Sequence, residues 1–355
     1  MDLAFLGILI SLIIVDIKPY NRFNKLRYID VEQSKSLKGI CAVVIFIHHI
    51  SPEVGGDMFK ECGFLSVSIF IFLSAFGLTR KWIKYRIREL DDIIYIKIPE
   101  LLAISIFSML YKVIYLIIID EKMSIKNIII GALTGNKVLN WFFPVIIVLY
   151  GLFALSIFIN DKMGCNEKML VKINIVLVVI FSIILFYFFI KGYILVHWLI
   201  SLFAFPFGIF MAIEDFAQFM DKKSNIFISF ILFILMFVMC HCVDANGILF
   251  IRVFKMFLYY ILSILICILA YYFVRYKCSK YIFLNIGKFS AEIILTQNMA
   301  ITMMRNKKIY IDSNIVYVLM TVFIQIALVT ILTPIYSIIK LRMKNFGKQI
   351  IERKK

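Results

Sequence analysis

Ile175-Val-Leu-Val-Val-Ile-Phe-Ser-Ile-Ile-Leu-Phe-Tyr-Phe-Phe-Ile190 runs for sixteen residues without a charge. A hydrocarbon core about 30 Å thick takes about 20 apolar residues in a helix, so this run with its flanks is long enough to cross one. Working outward, Ile226 to Val238 and Met256 to Val274 read the same way, and comparable runs lie upstream. The 355-residue chain is 63% hydrophobic and 17% charged, where water-soluble globular chains hold about a quarter charged residues. So many runs fit one architecture, an all-α polytopic bundle of about ten to eleven transmembrane helices.

Segments are expected near 3–17, 37–51, 63–80, 98–119, 139–160, 171–190, 194–213, 224–242, 248–273, 285–304 and 314–339. The first is short, and it has neither a basic leader nor a small-residue cleavage site, so it reads as a retained segment. Taking loops alternately, regions 18–38, 80–97, 161–172, 215–223, 275–288 and 340–355 hold 28 of the 39 Lys and Arg. The positive-inside rule places these six in the cytoplasm, which puts the carboxyl end inside and the amino end outside. Three parts follow: 1–36, a first membrane segment with a basic linker; 37–340, one membrane domain; and 341–355, a basic cytoplasmic tail. The formal charge of +17 is thus spread over short loops facing anionic lipids, and nucleic-acid binding is not expected.

The seven cysteines form no disulfide framework. Cys240-His241-Cys242 does not gather its three side chains on one helix face, so no metal site is expected. Ionisable groups inside a helix bundle are expensive and therefore candidates for function. Lys38 and His49 are eleven residues apart, which puts them within about 20° on one helix face and about 16 Å apart along it. A cation at the water boundary with an imidazole deeper on the same stripe suits an anionic substrate entering from the cytoplasm. The alternative is a snorkelling Lys38 and a His49 hydrogen-bonded within the bundle. His48 points about 100° away and is the weaker candidate. Ser66, Ser68 and Ser74 in the third segment fit close helix packing. Arg80, Lys81, Lys84, Arg86, Arg88 and Lys97, leading to Pro99, fit phosphate binding at the membrane surface.

The order of these pieces resembles the acyltransferase-three family of bacterial membrane O-acyltransferases. Lys38-Gly39-Ile40 with His49 is similar to that family's opening helix, with Lys for the commoner Arg. Phe70 to Phe76 resembles its Phe-Phe-x-x-Ser-Gly-Phe helix, with Ile71 for Phe and Ala75 for Gly. A basic run before Pro99, Asn140-Trp141-Phe142-Phe143-Pro144 and Phe205-Pro206-Phe207-Gly208 follow in the family's order. Gly287-Lys288-Phe289-Ser290 through Gln297 resembles the late Gly-Lys-x-Ser-Tyr-x-x-Tyr-Leu-x-His helix. Here Gln297 stands at the histidine position, and Ala291 and Ile294 at the tyrosines. The resemblance covers about 37–300.

The resemblance implies a bacterial cytoplasmic-membrane enzyme that moves an acyl group, usually acetyl, from acyl-coenzyme A to a hydroxyl of a cell-envelope glycan or lipid-linked sugar. No bound cofactor is expected, acyl-CoA being a substrate. It implies His49 as general base, with Lys38, Arg80, Arg86, Arg88 and Lys97 on the donor's phosphates. Ser74, Trp141 and Gln297 would bond substrate or line its pocket. Two other functions fit the composition: a transporter or flippase of a lipid-linked sugar, and a non-catalytic partner in envelope assembly. The scarcity of mid-helix carboxylates counts against proton-coupled transport.

Overall fold

The computed structural model describes residues 1–19, 29–119, 141–191, 198–213, 223–243, 249–279, 281–306 and 308–353. The elements in order are α1 (Asp2–Asp16), α2 (Val31–Ile50), α3 (Cys62–Tyr85), α4 (Ile87–Asp92), α5 (Ile98–Ile118), α6 (Phe142–Lys162) and α7 (Glu167–Ile190). They continue with α8 (Ala204–Ile213), α9 (Lys223–Cys242), α10 (Leu249–Tyr276), α11 (Ile282–Lys288), α12 (Ser290–Met303) and α13 (Asn314–Arg353). A π-helical turn, Ile93–Lys97, joins α4 to α5, and a short antiparallel ribbon pairs Ile17–Pro19 with Lys277–Ser279. Among the described residues six helical stretches are long and apolar enough to cross a bilayer: α3, Glu89–Ile118, α6, α7, Ile251–Arg275 and α13. The chain is an all-α polytopic membrane bundle, and the expected segments fall mainly on helix; of 194–213 only Ala204–Ile213 is α-helical, and residues 139, 140, 194–197 and 248 of the expected segments lie outside the described ones.

Burial sorts the spans. The apolar stretch of α3 is 83% buried, against 17% for α7 and for α13, so α3 is the central post and those two are peripheral. Large apolar side chains on the outside, such as Ile183, Phe323 and Ile326, face where lipid tails would lie. Around α3 pack α2, α8 and α10. Lipid tails are as apolar as leucine, so contact between membrane helices depends on close packing and small residues. A Cβ on Gly208 of α8 would press on the Phe72 carbonyl of α3. Likewise a Cβ on Gly39 of α2 would overlap the Phe283 carbonyl of α11, and one on Gly287 would overlap the Lys35 carbonyl. This reciprocal pair sets the α2–α11 crossing.

Polar groups fix the ends. Asp30 caps α2 by accepting from the Gln33 backbone N–H at 2.7 Å, while Gln33 Oε1 accepts from the Asp30 N–H at 2.9 Å. The helix therefore starts at Val31, a turn and a half before the apolar run. At one end of α1, Asp2 accepts from Ser51 Oγ at 2.5 Å and from the backbone N–H groups of Asp57 and Met58. At the other, buried Asp16 accepts from Ser279 Oγ and from the N–H groups of Tyr281, Ile282 and Phe283 at the start of α11. Ser279 N–H in turn donates to Ser36 Oγ of α2. So α1, only about 22 Å long, runs antiparallel to α2 between the same two ends of the bundle.

One of those ends is basic. Arg80 of α3 donates to the Ala212 carbonyl of α8 at 3.3 Å, Arg86 pairs with Glu167 of α7, and Lys340 of α13 bonds Glu292 of α12 at 2.9 Å. The opposite end carries His49 and Ser51, with Arg305 bonded to the Glu53 carbonyl and, at 2.6 Å, to Asn314 Oδ1. Asp2 lies at the His49 end, while α13 runs from Asn314 there to Arg353 at the basic end.

Candidate active site

The last turn of α2 carries both histidines into a cavity of about 280 Å³ at the non-basic end. His49, His48 and Ile45 come from α2, Gly63, Phe64 and Val67 from α3, Trp141 and Phe142 from the start of α6, Tyr259 from α10, and Ile294 and Gln297 from α12. Lys60, Glu61 and Ile200 complete the lining. These segments are remote in sequence, and α3 holds them together.

The two imidazole rings meet edge to face, centroids 4.8 Å apart. His48 Nδ1 lies 2.9 Å from the Phe59 carbonyl, so Nδ1 carries the proton and donates. In the neutral form of the ring Nε2 is then the acceptor. Its ring sits where a Cβ on Gly63 would stand, so glycine is needed there. Glu61 accepts from the Tyr259 hydroxyl at 3.2 Å, and the Tyr259 ring meets Phe64 edge to face at 4.8 Å. Opposite them Gln297 is fully buried, and neither its Nε2 nor its Oε1 has a partner among the described residues. An unbonded buried amide costs about 1–3 kcal/mol per polar group. Gln297 is one of the residues that line the cavity.

The expected site residues thus fall into two sets. His49, Trp141 and Gln297 share the cavity. Lys38, half-buried on α2, has Lys35 and Lys81 as the cations acting on it, and none of the described carboxylates pairs with it. Arg80 closes the carboxyl end of α8. Arg86, at φ 50°, marks the break between α3 and α4, where it stacks on Trp82 at 4.7 Å and pairs with Glu167. Lys97 pairs with buried Glu89, Ser74 is hydrogen-bonded to Tyr150, and Arg88 lies in α4 with its side chain outside the described set. Among the described residues no group of three His, Cys, Asp or Glu could hold a metal.

A sequence model of the family described as an acyltransferase domain, the third of that type, matches residues 28–339. The chain belongs to the acyltransferase-three family. No curated protein and no solved structure matches it. Membership makes the chain a membrane acyltransferase. His49 and Gln297, 248 residues apart in sequence, line the same cavity. Lys60, Glu61 and Tyr259 also line it, though no periodicity or motif in the sequence distinguishes them. Gly63 likewise carries no motif in the sequence; the position of the His48 ring accounts for it.

Proposed function

We propose that this acyltransferase moves an acetyl group from cytoplasmic acetyl-coenzyme A to a hydroxyl of a cell-envelope glycan or lipid-linked sugar, with His49 as general base. The observation that carries the reading is that His49, Trp141 and Gln297 line one cavity, the buried Gln297 amide having no partner among the described residues. In this reaction His49 takes the acceptor's hydroxyl proton as the oxygen attacks the thioester carbonyl. The oxyanion that forms accepts a hydrogen bond from Gln297 Nε2. Collapse breaks the carbon–sulfur bond, and His49 returns the proton to the leaving thiolate. Of the cavity's side chains, the imidazoles are the ones suited to exchange a proton near neutral pH.

The donor's phosphates belong at the basic end. Lys97 and Arg86 already face carboxylates, so Lys38, flanked by Lys35 and Lys81, is the stronger phosphate ligand. A coenzyme A thioester carries its acyl group at the far end of a long arm from its phosphates. That shape matches a cation and a base about 16 Å apart on one helix face. With the basic end in the cytoplasm of a bacterial inner membrane, the acceptor meets the acyl group at the outer end of the bundle.

The test is acetyl-coenzyme A turnover by the purified chain in lipid, comparing wild type with His49→Ala and Lys38→Ala. Slow hydrolysis or self-acylation that disappears in His49→Ala supports the reading. A folded wild type that neither binds nor consumes the thioester overturns it and favours a transporter of lipid-linked sugar.

A further inference from the structure

We propose that a second cavity, on the other side of α12, binds the phosphate headgroup of a membrane amphiphile, anchored by the Lys112 ammonium and the Asn298 amide. The cavity holds about 320 Å³ between α5 and α12, and no residue of the His49 cavity lines it. The proposal therefore stands independently of the acyl-transfer reading.

Lys112 is the decisive residue. It lies fourteen residues beyond Ile98, about 21 Å along α5 from the basic end. A lysine in an apolar helix normally extends its stem so that its head reaches water. This one is 5% exposed, and among the described residues no carboxylate pairs with it and no acceptor bonds it. An ammonium held inside a bundle without a counter-charge is costly, so a cavity beside it is a place for an anion. Asn298, half-buried on the facing helix, has its side-chain amide without a hydrogen bond among the described residues and lines the same space. Thr302 is already committed, its hydroxyl donating to the Asn298 carbonyl at 2.8 Å.

The rest of the lining defines the ligand's other half. Leu116, Ile119 and Met299 are apolar, and Ile114 and Ile117 beside them are 58% and 71% exposed toward the lipid side. A small hydrated anion gains nothing from such walls. A phosphate ester with a hydrocarbon tail presents acceptor oxygens to Lys112 and Asn298 and apolar surface to the rest. Two sources share that chemistry: an anionic phospholipid of the bilayer, and the polyprenyl phosphate that carries a sugar.

The experiment uses the full chain in an uncharged detergent, with thermal melting and native mass spectrometry as readouts. The probes are phosphatidylglycerol, polyprenyl monophosphate and inorganic phosphate, each applied to wild type, Lys112→Met and Lys112→Arg. We expect either amphiphile to raise the wild-type melting temperature and to remain bound in the gas phase. Lys112→Met should lose both effects and Lys112→Arg keep them. Preference for phosphatidylglycerol identifies a bilayer lipid, and preference for polyprenyl phosphate identifies a sugar carrier; both support the site. An equal response in wild type and Lys112→Met overturns it, as does a wild type stabilised by inorganic phosphate alone as strongly as by the lipids. Should Lys112→Met fail to fold, Asn298→Ala replaces it, with a smaller shift expected and an unchanged one counting against the proposal.

Discussion

Gln297 and Asn298 are adjacent, yet they serve different cavities, because consecutive residues on a helix point about 100° apart. On the Gln297 side the cavity is lined by two imidazoles, aromatic rings and the Lys60–Glu61 pair of opposite charges. On the Asn298 side stands a buried lysine that none of the described carboxylates pairs with. Both carry an amide without a partner among the described residues, and they differ in charge balance. A balanced cavity with proton acceptors suits the chemistry of a neutral hydroxyl, whereas an unbalanced one suits an anion. Helix α12 is the wall between them, and its position follows from the glycine contact that locks α11 against α2.

The most severe way to break this contrast is at His49. His49→Ala should lower acyl transfer by about 10²–10⁴-fold, the usual worth of a positioned base, while melting behaviour stays close to wild type. Comparable activity in that variant would remove proton transfer from the Gln297 cavity. Next in size is the wall itself. Gly39→Ala must force α2 from the Phe283 carbonyl, costing about 1–3 kcal/mol as overpacking does. Gly7→Ala, inside α1 with nothing within 4 Å, should not lower the melting temperature and serves as its control.

Gln297→Leu sharpens the contrast differently, because stability and activity should move in opposite directions. Removing a buried amide with no partner should raise stability by about 1–2 kcal/mol, while transfer falls for want of the oxyanion donor. Thermal unfolding and turnover measured on one preparation would show it; loss of stability would mean that the amide bonds within the resting protein. Smallest of all is Arg86→Ala, far from both cavities. Its ion pair with Glu167 is half exposed and worth about 0–1 kcal/mol. A large loss of activity there would return Arg86 to the donor site.

Much of this was legible in the residues, for identifiable reasons. Apolar runs such as Ile175–Ile190 fall on helices because a backbone in lipid must satisfy its own hydrogen bonds. The eleven-residue step from Lys38 to His49 places both on one helix, as found, with Lys38 in its interior, eighth from the start at Val31, and His49 in the last turn. Two boundaries were misread by hydropathy. Helix α2 begins at Val31 because the Asp30–Gln33 capping box, a visible Asp-x-x-Gln signal, starts it among polar residues. The expected segment 285–304 divides at Phe289 into α11 and α12, where Gly287 is pressed against the Lys35 carbonyl. A hydropathy window averages over such contacts.

Residue order alone was enough to establish a membrane bundle, to locate its basic loops and to mark it as an acyltransferase. The first two are properties of composition, period and spacing along the chain, and the last rests on the resemblance of its motifs to a known family. It took the packed helices to show that α1 extends between both ends of the bundle, tied by Asp2 and Asp16 to groups 49 and 263 residues away. They also show that Lys97 and Arg86 are matched by carboxylates while none of the described carboxylates pairs with Lys112. Whether a charge has a partner depends on which helices are neighbours, and that is set by packing around α3 rather than by distance along the chain.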